Sequence, residues 1–171
     1  MSKTVNKYYR ILIIFYILFL AACMGNTVKV LNAQKFSINI PNGWAAEKES
    51  EDKALLIMPE AKSEEITISI VASPTHGDIP LDEVWNKIKP FMVNNKNIIV
   101  DEGRDYFSNT TWKKLVIKQV ICGVEMNKIV LFTQRNSTNY LVQFDCPKDK
   151  FDEILSLFSL TMQSFKFRND K

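Results

Sequence analysis

Few side chains in this 171-residue sequence are of a type that carries chemistry. They include three cysteines, Cys23, Cys122 and Cys146, and a single histidine, His76. A thiolate is a nucleophile and a metal ligand, and an imidazole titrates near neutral pH. Cys23 stands in the most distinctive setting. It follows Leu20-Ala21-Ala22, an apolar run that starts at Ile11, and a basic start of Lys3, Lys7 and Arg10. A basic region, an apolar region and small residues before a break form the layout of a secretory signal. The twelve residues from Ile11 to Ala22 would rise about 18 Å as a helix, against roughly 30 Å of hydrocarbon. That length fits a signal; an uncleaved N-terminal anchor is the competing reading.

The other candidates are weaker. Cys122 and Cys146 form an even pair in a compartment that permits disulfides, without zinc-finger spacing. Both close strands that run the same way. With one strand between them their Cα atoms stand roughly 9–10 Å apart, whereas a disulfide wants about 4.4–6.8 Å. A disulfide needs bent strand ends; two buried free thiols are the alternative. His76-Gly77-Asp78 lies in a turn-rich loop, and one His with one Asp is not a metal site. No Gly-x-Ser-x-Gly elbow supports a triad built on His76. The five glycines, at 25, 43, 77, 103 and 123, are scattered, so no phosphate-cradling loop exists. The acidic stretch Glu47–Asp52 reads as a solvated loop rather than a cation site. Trp44 and Trp85 read as core. Trp112 opens a strand beside Asn109-Thr110-Thr111, which makes it a candidate interaction residue as well as a core one. No catalytic set, metal site or cofactor emerges, so no enzyme is expected.

Leu20-Ala21-Ala22-Cys23 also matches the lipobox that bacterial lipoprotein signal peptidase cuts before its cysteine. The resemblance implies a mature chain starting at Cys23, with diacylglycerol on its sulfur and an acyl chain such as palmitate on its amine. It places the body outside the cytoplasm, in the periplasm or on the extracellular face. Met24 stands where inner-membrane lipoproteins of enterobacteria commonly carry Asp, which favours the outer membrane in a Gram-negative host. Removing residues 1–22 leaves 149 residues, one ordinary domain. Three of the 22 Lys and Arg lie in the signal and none of the 19 Asp and Glu, so the mature chain holds 19 of each. The formal charge of +3 belongs to the discarded peptide, and a nucleic-acid partner loses its support.

The elements that must position these residues follow from periodicity. Residues 23–34 read as a lipidated tether, and regular patterning starts at residue 35. Phe36–Ile40 and Ile66–Val71 alternate apolar and polar, and Lys53–Met58 is a further short strand. Leu81, Val84, Trp85 and Ile88 fall on one helix face that Pro90 should end. Ile98–Asp101, Trp112–Cys122, Glu125–Gln134 and Tyr140–Cys146 read as an antiparallel run with hairpin-length connections. Phe151, Ile154, Leu155, Phe158, Met162 and Phe165 make a second helical stripe. Residues 168–171 are a tail, with fraying from Phe167. The order argues α+β, with helices covering a largely antiparallel sheet.

Phe36-Ser-Ile-Asn-Ile-Pro-Asn-Gly-Trp44 resembles the F-x-I-x-x-P-x-x-W opening of PsbP-like domains. The helix after the third strand, the meander through Tyr140–Phe144 and the closing Gln163-Ser164-Phe165 fit the same pattern. The resemblance covers about residues 35–167 and implies an α/β/α sandwich around an antiparallel sheet. Its members include extrinsic photosystem II subunits, the Mog1 nuclear-transport factor and many bacterial lipoproteins. What they share is docking on larger assemblies rather than a reaction. The expectation is a non-catalytic lipoprotein, tethered to membrane lipid through Cys23, that binds an envelope protein or complex. The alternative is a carrier of a small apolar ligand held between sheet and helices.

Overall fold

Three successive hairpins in the C-terminal half turn on two residues each, and in every case both carry positive φ. The turn residues are Ser108 and Asn109, Cys122 and Gly123, and Asn136 and Ser137. Positive φ at both central positions is the mark of a type I′ turn, whose twist matches the flanking strands. A computed structural model describes residues 28–58, 66–75, 79–93 and 97–168. These hairpins build most of one sheet, from strands β3 (Ala45–Ser50), β4 (Lys53–Ile57), β5 (Thr67–Pro74), β6 (Ile98–Phe107), β7 (Thr110–Ile121), β8 (Val124–Arg135) and β9 (Thr138–Pro147). Its order is β3-β4-β5-β9-β8-β7-β6, and every pairing is antiparallel. A three-stranded sheet joins β1 (Val30–Asn32), β2 (Phe36–Asn39) and β10 (Lys166–Phe167).

Alternation along the long strands feeds two cores. Trp112, Ile129, Leu131, Tyr140, Val142, Phe144 and Cys146 turn to one face. There they meet the small sheet and helix α2 (Phe151–Gln163). Leu115, Ile117, Val130 and Phe132 turn to the other, under helix α1 (Leu81–Met92), where Trp85 stacks on Phe132 at 6.1 Å. The result is the expected antiparallel sheet with a helix on each face. Pro90 does not end α1; it sits in the last turn, where one lost backbone bond costs little.

Three sequence expectations shift. The chain ordered by the sheets begins before residue 35, because Leu31 pairs with Ile38 and is buried. Phe167 is not frayed: it pairs with Phe36, and Arg168 donates to the carbonyls of Lys35 and Ala33 at 2.8 and 3.0 Å. The stretch Glu47–Asp52 is largely strand β3 and its turn. Charged, exposed side chains suit a sheet edge because they discourage further pairing. β6 continues through Gly103 to Phe107, with a bulge between Ile99 and Asp101.

Candidate functional site

Cys23 lies outside the described residues, as does the His76-Gly77-Asp78 loop. The other three candidates have definite places. Trp112 is 0% exposed, so it is core and not an interaction surface. Its indole N–H donates to the Phe107 carbonyl at 3.3 Å, and its ring meets Phe165 edge-on and stacks on Phe167. The register explains the burial: Trp112 shares the face of Val116, which packs against the main core.

Cys122 and Cys146 are separate free thiols, and no disulfide joins them. Strand β8 lies between their strands, and Cys122 belongs to the exposed turn while Cys146 points into the core. Of these two thiols only Cys146 is buried. Burial pushes its pKa up to about 12, with Asp149 adding to the effect, so it has little thiolate character.

Ion pairs fasten α1 to the sheet rather than converge on a reacting centre. Asp82 meets Lys113 and Arg104, and the Lys113 contact holds its carboxyl below the ordinary range. Lys89 does the same for Glu102 at 2.5 Å. Lys114 bridges Asp101 and Asp105 at 2.9 and 3.4 Å. Asp145 differs: burial raises its pKa, although Lys128 stands 3.3 Å away and opposes the rise. Among the described residues no group of three or more His, Cys, Asp or Glu could hold a metal.

The surface offers a sharper feature. The β6 ladder ends where Ile98 faces Lys118, and the β7–β8 hairpin continues past it to Ile121 and Val124. Val120 is 65% exposed and Ile98 66%. Phe91, 91% exposed, stands at the C-terminal end of α1, and Asn97 donates to the carbonyl of the next residue, Met92, at 3.4 Å. That bond brings Phe91 to the same end of the sandwich. Of eleven exposed large apolar or aromatic residues among those described, seven gather here: Phe91, Ile98–Val100, Val120, Ile121 and Val124. A cavity of about 120 Å³ at the base of the hairpin is lined by Ile98, Lys118, Val120, Glu125, Asn127 and Lys148 among others. It falls below the roughly 300 Å³ at which small-molecule sites begin. This apolar tip was missed in the sequence. Its signal was there in Val120-Ile121-Cys122-Gly123-Val124, which stays apolar at both parities up to and across a turn.

No family model matches the chain, and no curated protein matches it. Solved structures do. The cyanobacterial PsbP of Synechocystis superposes with a TM-score of 0.61 at 13% identity, over 85% of this chain and 95% of that one. LpqN of Mycobacterium tuberculosis, described as involved in cell envelope biogenesis, gives 0.56 at 13%, over 85% and 88%. The Ran-binding protein Mog1p of Saccharomyces cerevisiae gives 0.51 at 11%, over 82% and 96%. At these identities the likeness is one of fold.

Proposed function

From its PsbP/Mog1-like fold, we propose that this chain is a non-catalytic, membrane-tethered lipoprotein that acts as a protein-binding or assembly module at the bacterial cell envelope. Cys23 supplies the tether and membrane lipid its first partner; an envelope protein or complex is the second. The body stands on the periplasmic or extracellular side, at the outer membrane in a Gram-negative host. The envelope role of LpqN supports that setting, and the binding role named for Mog1p supports the mode of action.

One observation carries binding over carriage. The layer between the sheet and α2 is filled by rings. Phe144 stacks on Phe158 and Phe151, and Phe165 contacts Phe36, Trp112, Tyr140 and Phe167. Aromatic side chains in mutual contact already occupy that layer, so recognition belongs on the outer surface.

Photo-crosslinkers placed on exposed positions of the full chain, in intact cells, test this. Recovery of one discrete envelope protein that is lost when Cys23→Ala releases the chain supports the reading. A stoichiometric apolar small molecule in an organic extract of the purified chain, without such a crosslink, overturns it in favour of a carrier.

A further inference from the structure

We propose that the projecting β7–β8 hairpin, with Ile98 and Phe91 beside it, is a second membrane contact that seats at the headgroup boundary of the bilayer holding Cys23. This rests on the lipid-anchor reading. The register puts apolar side chains on both faces of the tip. Ile98 pairs with Lys118, so it and Val120 share the α2 side. Ile99 pairs with Ile117, and Ile121 pairs with Val124, which puts these three on the α1 side. Apolar side chains on both faces suit an apolar medium, which surrounds a hairpin on every side.

Reach agrees. Ile121 lies three residues beyond Lys118, where β6 stops pairing, so the hairpin overhangs β6 by roughly 10 Å. Elements lying at a membrane interface bury about 5–10 Å. Charge agrees as well. Lys118 and Lys148 stand at the base of the tip, and Lys148 is paired with Glu125 at 2.5 Å. Two lysines around the one carboxylate of Glu125 leave a net positive charge, of the sign that anionic headgroups attract. The tether sets the distance. Five peptide steps separate Cys23 from Val28, where the described chain begins, and they span at most roughly 18 Å. Tethering makes the encounter of the body with the bilayer intramolecular, so a weak apolar contact suffices. The type I′ turn at Cys122-Gly123 keeps the tip narrow, and only glycine or a strained residue accepts φ near the +84° of Gly123.

The full chain with Ile121→Trp, or with Tyr106→Trp at the opposite end of β6, is reconstituted in phosphatidylglycerol and phosphatidylcholine vesicles with brominated acyl chains. The three native tryptophans are buried and give a constant background. Emission from position 121 should shift to shorter wavelength and be quenched, while position 106 stays unquenched. Mass spectrometry of the same sample reports lipid on Cys23. An unquenched 121 in a chain that carries the lipid overturns the tip contact and leaves the anchor standing. A quenched 121 in a chain without lipid supports the tip and overturns the anchor. If neither signal appears, both fall. Equal quenching at 106 and 121 also overturns the proposal, because the contact would not be at the tip.

Discussion

Phe158 lies flat against Phe144, ring centroids 4.7 Å apart and planes within 10°. This stack joins α2 to the centre of the sheet, and Phe158 is 2% exposed. Phe158→Ala should cost about 3–5 kcal/mol, the range for truncating a buried Phe. Denaturant melts check it. A loss below about 1 kcal/mol would mean that the helix repacks or is not docked there.

Trp112 should matter to folding and not to recognition. Trp112→Phe keeps a ring against Phe165 and Phe167 but removes the N–H that donates to the Phe107 carbonyl. Thermal melts should show a loss of about 1–3 kcal/mol. Partner capture by the fraction that remains folded should be unchanged.

The two described thiols should differ sharply. Cys122 is exposed, and Cys146 is buried with its pKa pushed up to about 12. Alkylation at mildly alkaline pH, read by peptide mass spectrometry, should label Cys122 quickly and Cys146 only on unfolding. Equal labelling would show that the strand end around Cys146 opens readily.

Asp145 should make stability depend on pH. Burial raises its pKa above the ordinary 3.8. A carboxyl raised on folding favours the folded state while protonated. That contribution is present below the unfolded value and is lost as pH rises through the folded one. The difference in stability between the native chain and Asp145→Asn should therefore swing against the native chain as pH rises above 3.8. Urea melts at a series of pH values measure it; a constant difference would contradict the burial.

The long periodic elements were legible in the sequence because each buries one regular stripe. Tyr140, Val142, Phe144 and Cys146 all face one core as their spacing implied, and the stripe from Ile154 to Met162 packs as expected. What escaped owed its place to tertiary partners. Trp112 lies near the polar start of its strand, yet β10 and the second residue past α2 bring Phe167 and Phe165 over it. Strand β3 carries small or charged, largely exposed side chains, so no apolar alternation announces it; its hydrogen bonds to β4 alone define it. The apolar tip escaped for a different reason. Val120 and Ile121 read as ordinary strand residues and Val124 as part of a tight connection until the structure shows β6 stopping at Ile98.

The tether is the central claim, and the N-terminus of the membrane-extracted protein tests it most directly. Intact-mass and N-terminal peptide spectra should show a chain starting at Cys23 with diacylglycerol on the sulfur and an acyl chain on the amine. Cys23→Ala should leave the signal uncleaved by the lipoprotein peptidase. A chain that still begins at Met1, or a Cys23 that carries no lipid, would contradict the account.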